Sequence, residues 1–457
     1  LSSKMGDHFN CMRTEFTESE LAMHESHVRI LKNDESCLRY VLSLNREEKI
    51  KFVSLKPAQK SNVHSMGRQT YAMTLYLESP MDTPLDEIIR LYTESIVFAK
   101  PRSWTLASAY ANRSGALHTA GLYDDCLQDI ARALSLTYPK WLAAKLYARR
   151  ARCLMALNKE NPSRDYKEEI EEALKLSQEN MTGIRGDNLG RSLVRNILDK
   201  RERMVRVEGS LKKWQNERFL PSVAPENATL VGVSSALRID YSRIKDRHLL
   251  AFRDIEPGEV LAVIEPYVGI LVTQRRLTHC DYCMAQTWSS IPCEDCCEVV
   301  YCNQDCKNKA YHAYHDIECQ VMGHLINANY TIAWLLALRL TIRAVRNAGG
   351  IKLLAHRIAE FEECKDTMVL GLRTGLLSNN YASVYASMKG TYALPPDKAF
   401  DRALGTCYIL QALATESQFF GRRYTGNFKK LENDTDMLFI GSLIMRHVQI
   451  ALHNGRH

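Results

Sequence analysis

Apolar residues recur at three-to-four spacing over Tyr330–Ala348, Ile351–Phe361, Phe400–Ser417 and Asp436–His453, the pattern of helices with one buried face. Ahead of them, Ala236–Asp240, His248–Phe252 and Val260–Ile264 are short runs rich in Leu, Ile and Val. Turn residues such as Pro257-Gly258 separate these runs, which predict three strands. Between the two blocks, Lys307–Tyr314 lacks Gly and Pro and predicts a further helix. The first half is repetitive: Tyr92–Pro101 recurs as Ile130–Pro139 and again as Ile170–Glu179, at offsets of 38 and 40 residues. Helix pairs of that period cannot bury a face alone, so stacked neighbours share one continuous core. In the middle copy Tyr110, Gly121, Tyr123 and Ala133 are the small or aromatic residues that let paired helices approach. The expected class is α+β, predominantly α.

Composition narrows this picture. The chain has 457 residues, 46% hydrophobic and 25% charged, which fits two or three ordinary globular domains of roughly 100–200 residues each. The most apolar stretch, Tyr330–Val345, is interrupted by Arg339 and Arg343 and is shorter than the about 20 apolar residues a bilayer requires. The chain begins with Leu and no signal peptide opens it, so a fragment is expected. Most of the net charge of +7 comes from residues 188–219, where nine Lys or Arg face four Asp or Glu. No aromatic interleaving accompanies that run, so it reads as a solvated linker helix rather than a nucleic-acid contact.

Fourteen cysteines change the picture more. Eight fall between Cys280 and Cys319, while Cys11, Cys37, Cys126, Cys153, Cys364 and Cys407 are scattered through helical sequence and read as small, reduced core residues. A dense cluster without a secretory signal points to metal in a reducing compartment. The pairs are Cys280-x2-Cys283, Cys293-x2-Cys296, Cys302-x3-Cys306 and His315-x3-Cys319. Eight donors in four short pairs are the complement of two tetrahedral zinc ions. Cys297 and His312 are also donor types, and spacing alone leaves sequential or interleaved pairing open. Four-ligand zinc has no open position for water, so the expected role is structural and no catalytic residue is assigned here.

This arrangement resembles the MYND zinc finger, as does the aromatic Tyr301 before Cys302. The resemblance implies interleaved ligands: Cys280, Cys283, Cys302 and Cys306 on one ion, and Cys293, Cys296, His315 and Cys319 on the other. It also implies a surface for proline-rich peptides. Just upstream, the stretch Leu249–Leu261 ending in Glu265-Pro266 looks like the first part of a SET methyltransferase domain. In the SET-and-MYND protein-lysine methyltransferase family that domain is split around the finger and a helical insert. The resemblance implies methyl transfer from S-adenosylmethionine to a lysine amine. Family members often carry a Gly-rich turn near the cofactor; Lys245-Asp246-Arg247-His248 stands there instead, which leaves Asp246, Arg247 and His248 as backbone contacts to S-adenosylmethionine. Asn454 matches a cofactor-contacting position of relatives. The Asn-His-Ser-Cys segment, catalytic tyrosine and later cysteine cluster of the family do not occur after Cys319, so the expectation is a chain that stops before its catalytic core and is inactive alone.

The repeats resemble tetratricopeptide repeats, whose stacked pairs form a concave groove. Asn112-Arg113-Ser114 with Lys145 and Arg149 resembles part of a carboxylate clamp for acidic chaperone C-termini; four residues apart, Lys145 and Arg149 share a helix face. The expected organisation is 1–69 N-terminal helical region, 70–180 tetratricopeptide-like array, 181–229 basic linker helix, 230–279 first SET segment, 280–319 finger and 320–457 helical insert. Two functions compete: a methyltransferase requiring sequence beyond His457, or an adaptor whose finger and groove dock protein partners without chemistry. A cytoplasmic and nuclear location is expected, with Lys200-Arg201-Glu202-Arg203 the one basic cluster near an import signal.

Overall fold

The computed structural model describes residues 16–31, 33–46, 56–78, 83–136, 138–181, 221–242, 246–363, 380–387, 396–424 and 428–454. The basic run 188–219, Lys245, Cys11 and Cys364 lie outside the described residues.

Helix α1 (Glu18–Ile30) opens with a capping box: Thr17 Oγ1 accepts from the Glu20 amide at 3.3 Å, and the Thr17 amide donates to Glu20 Oε2 at 2.8 Å. Helix α2 (Asp34–Arg46) follows. Six helices come next: α3 (Asn62–Glu78), α4 (Leu85–Phe98), α5 (Trp104–Thr119), α6 (Tyr123–Ser135), α7 (Lys140–Glu160) and α8 (Lys167–Met181). Pro84 and Pro139 stand before α4 and α7, where a fixed φ suits helix entry and no N–H is needed. Ser103 Oγ caps α5 by accepting from the Leu106 amide at 3.1 Å. Gly121, at φ +76°, makes the sharp turn from α5 to α6.

Strands β1 (Leu237–Ser242) and β2 (Asp246–Ala251) form an antiparallel hairpin with Ser242 opposite Asp246. The much shorter β3 (Ile291–Pro292) and β4 (Val300–Tyr301) also pair antiparallel. Then come α9 (Gln304–Ala310), a π turn over Tyr311–His315, and α10 (Asp316–Asn327). Helix α11 (Ile332–Ala348) ends on Gly349 at φ +90°, a left-handed C-cap. The described elements close with α12 (Ile351–Glu362), α13 (Tyr381–Tyr385), α14 (Pro396–Glu416) and α15 (Thr435–Asn454).

The chain divides into two compact units. One contains residues 58–217 and 271–310; the other contains 1–57, 218–270 and 311–457. In the first, each helix from α3 to α8 packs on the next, and the leading helices of successive pairs also touch, α3 on α5 and α5 on α7. Three two-helix layers are thereby stacked in chain order around Ile88, Tyr92, Ile96, Tyr110, Leu117 and Ile130. The recurring segments are the second helices of the pairs, α4, α6 and α8. The array therefore starts at Asn62, eight residues before the expected boundary at 70, which would cut α3 in two.

In the other unit the N-terminal helices pack on the C-terminal ones. Helix α2 packs against α14, α15 and the 3-10 turn at Phe428–Asn433, and α1 packs against α14. Leu38 and Val41 of α2 are fully buried there. Of the three expected strands, the third, Val260–Ile264, is reduced to one bridge between Val233 and Ala262. Its partner stretch is hemmed by turns on both sides, so pairing cannot extend into a ladder. The four helices expected after residue 330 are present, each displaced by at most a few residues.

Candidate metal centre

Cys280 and Cys283 sit in a tight knuckle: the Met284 amide donates to the Cys280 carbonyl at 2.9 Å and the Cys280 amide to the Ala285 carbonyl at 2.8 Å. Met284 takes φ +60° to close it. Cys302 follows β4. Cys306 enters in the first turn of α9, its amide donating to the Asn303 side chain at 2.8 Å. These local folds bring four sulfurs within 4.8 Å of one another. Cys283 Sγ lies 3.8 Å from Cys302 Sγ, which lies 3.5 Å from Cys306 Sγ. With Zn–S bonds of about 2.3 Å the edge of a sulfur tetrahedron is about 3.8 Å, whereas a disulfide bond is about 2.05 Å. The separations match the metal cage.

Electrostatics favour a cation there. Hydrogen bonds from Cys280 and Cys302 hold the Cys283 thiol far below its ordinary range. The neighbouring Cys280 and Cys283 push the Cys302 thiol far above it. One member ionises at the expense of the next, so four thiolates coexist only around a positive ion.

The second set is Cys293, Cys296, His315 and Cys319, again with donor atoms within 4.8 Å of one another. Cys293 follows β3, and its sulfur accepts from the Asp295 amide at 3.4 Å. His315 closes the π turn and Cys319 lies one helical turn on in α10. The interleaved sets are those implied by the family resemblance. Cys297 is instead buried with Val97 and Val300 beneath Phe98 and Leu277, and His312 is exposed. Each set is the donor complement of a structural zinc ion, the first all thiolate, the second three thiolates and one imidazole.

Within the first unit, the helical array grips the finger's backbone. Arg113, fully buried, donates to Asp129 at 2.6 and 2.9 Å, to Thr93 Oγ1 at 2.9 Å, and to the Ser290 carbonyl at 2.7 Å. Arg132 donates to the Ser289 carbonyl, and Ser289 Oγ donates to Asp125 at 2.7 Å. Lys60 donates to the carbonyls of Val97 at 2.5 Å and Cys293 at 2.7 Å. Sequence reasoning missed these contacts, since isolated Arg, Ser and Lys residues carry no periodicity.

The other expected site residues lie away from the two cages. Asp246, Arg247 and His248 are in strand β2, beyond the hairpin turn rather than in it. Asn454 is the last residue of α15, exposed, its amide donating to the Ile450 carbonyl at 3.1 Å. Asn112 donates to Gln69 Oε1 at 3.1 Å. Arg149 is turned inward, donating to the Ala111 carbonyl at 3.0 Å and to Ser114 Oγ at 2.7 Å. Lys145 lies over the Tyr138 ring, 6.0 Å from its centroid; burial and the adjacent Arg149 bring its ammonium down to about 8. No helix among the described residues is long and apolar enough to cross a membrane.

Comparison with known proteins gives a consistent answer. The chain is 30% identical over 265 residues to protein-lysine N-methyltransferase SMYD4 of Gallus gallus, covering 52% of this chain and 35% of that protein. It is 29% identical over 282 residues to SMYD4 of Homo sapiens, covering 55% and 33%. Against N-lysine methyltransferase SMYD2 of Gallus gallus the identity is 30% over 151 residues, covering 31% and 32%. The chain thus spans about a third of the length of the curated relatives it matches. No family model and no solved structure matches. In the matched stretch the chain is SMYD4-like.

Proposed function

We propose that this SMYD4-like chain supplies the helical array, first SET segment, two-zinc MYND finger and helical insert of a protein-lysine N-methyltransferase that uses S-adenosylmethionine. The two interleaved ligand sets carry the reading, because they join the family resemblance to a specific geometry. The β1–β2 hairpin supports it. Two strands alone are marginal in water, and this pair leaves Phe252 70% and Leu249 49% exposed, with Ile264 nearby in sequence 60% exposed. Such apolar side chains suit the first piece of a larger sheet. Asp246, Arg247, His248 and Asn454 are the residues of this chain offered to the cofactor, the first three through the backbone of a strand edge.

The test has two arms. The transcript past His457 is expected to continue into an Asn-His-Ser-Cys segment, and the longer protein to transfer a labelled methyl group to lysine. Residues 1–457 alone are expected to give no calorimetric signal with S-adenosylmethionine. A stop codon directly after His457, or micromolar binding by residues 1–457, contradicts the reading.

The adaptor role is favoured by one observation. Lys145 and Arg149 are half-buried cations one turn apart on α7, a leading helix of the array, and Asn112 lies on the neighbouring leading helix α5. An acidic C-terminal peptide, of the chaperone type, fits that charge, with Lys145 the main donor because Arg149 is committed to α5. A fluorescent acidic peptide with a free C-terminus is expected to lose about tenfold in affinity on Lys145→Ala, as for loss of one charge-assisted bond; equal affinity removes the clamp. Proline-rich peptides on the finger are the second partner class.

A further inference from the structure

Lys60 precedes α3 and reaches across to the finger, where its side chain is half-buried. Its two hydrogen-bond acceptors are neutral carbonyls, those of Val97 and Cys293. Among the described residues no carboxylate forms an ion pair with it; the groups acting most strongly on it are the thiols of Cys297, Cys296 and Cys293 and the cation of Lys307. Lys307 is itself answered by Glu294 at 2.9 Å. A half-buried ammonium facing only carbonyls is costly. The cost is offset if those sulfurs carry charge. Three thiolates and a neutral imidazole around Zn2+ leave one net negative charge.

We propose that Lys60 is the counter-ion of the second zinc centre, a positioning residue supplied by the helical array that stabilises the thiolates of Cys293 and Cys296. The assignment rests on the zinc reading above. It explains why the ammonium is directed at the carbonyl of a ligand residue rather than at an acid, and why the chain ahead of α3 is pinned there, with the Ser61 amide donating to the Phe98 carbonyl at 2.7 Å. Zinc thereby fixes the finger and its seat on the array together.

The experiment uses the zinc-loaded chain with Lys60→Gln, which keeps donors for the two carbonyls without charge, and Lys60→Arg, which keeps the charge. Zinc release to a chromophoric chelator is followed together with alkylation of individual cysteines by mass spectrometry. In Lys60→Gln one of the two zinc ions is expected to leave on the order of tenfold faster, the scale of losing an outer-shell partner. Cys293 and Cys296 should alkylate correspondingly faster, with Cys280 and Cys283 unchanged and Lys60→Arg close to wild type. Wild-type kinetics in Lys60→Gln, equal effects in both variants, or equal loosening of both ions overturns the proposal. Lys60→Met substitutes if Lys60→Gln does not fold; a chain that folds only with Lys or Arg at this position supports the need for charge. Fewer than two zinc ions in the wild-type chain would instead sink the underlying zinc reading.

Discussion

Arg113 keeps a guanidinium entirely out of water, made tolerable by a bidentate pair with Asp129, the Thr93 hydroxyl and both the hydroxyl and the carbonyl of Ser290. Removing the acid leaves that charge unanswered. Asp129→Ala is therefore expected to cost about 3–5 kcal/mol, read from urea unfolding; a loss below about 1 kcal/mol, the scale of an exposed pair, would refute its buried role. His447 poses the opposite problem. It is fully buried, bonded to Thr341 Oγ1 at 2.8 Å and to the Tyr381 hydroxyl at 3.1 Å, and burial, reinforced by Arg446, holds its pKa down to about 3. The unfolded imidazole titrates near about 6.5. The folded state thus binds fewer protons between these values. Its contribution is complete above about pH 6.5 and is lost as pH falls toward 3, with a slope of at most about 1.4 kcal/mol per pH unit. Zinc loss also destabilises in acid, so the comparison is with His447→Gln: urea midpoints at pH 7 and pH 5 should fall less in the variant, and parallel falls would remove His447 from the acid response.

At the scale of elements, close approach decides what a residue may be. The carbonyl of Gly232, a residue at φ +71°, accepts from the Val263 amide at 2.7 Å, and a Cβ there would run into the Val263 carbonyl. Gly232→Ala is expected to cost about 1–3 kcal/mol through strain and lost space and to speed hydrogen exchange at Val263, whose unchanged protection would argue against the bridge. In α15, a Cβ on Gly441 would press into the buried methyls of Leu38 and Leu410. That hollow is where α2 docks, and it shows what the sequence could not reveal. Periodicity located the helices after residue 330 and the repeated α4, α6 and α8, because each follows from local spacing. It could not say that Leu38 fits against Gly441 some four hundred residues later, nor that the third strand would find only a one-bridge partner. The π turn before His315 was equally hidden, since the helical spacing on either side of it looks continuous. Cysteine and histidine spacing, by contrast, located the residues that the structure gathers into two clusters able to hold a metal. It did not supply Lys60 or Arg113, whose roles depend on which carbonyls they meet.

For the whole molecule, the finger combines two-residue strands with a short helix, too little regular structure to hold a shape by burial alone. Metal at the two ligand sets would contribute the difference, as in small zinc modules. Because Arg113, Arg132 and Lys60 are bonded to finger carbonyls, chelation is expected to loosen helices α4–α6 as well as the finger, seen as faster hydrogen exchange there; exchange changes confined to residues 280–319 would mean the array stands independently. The most direct measurement is elemental analysis of the purified chain joined to a thiol count. Two zinc ions per chain are predicted, with all seven ligand thiols protected from alkylation until chelator is added. One zinc or none, with Cys280–Cys319 joined by disulfides, contradicts the account.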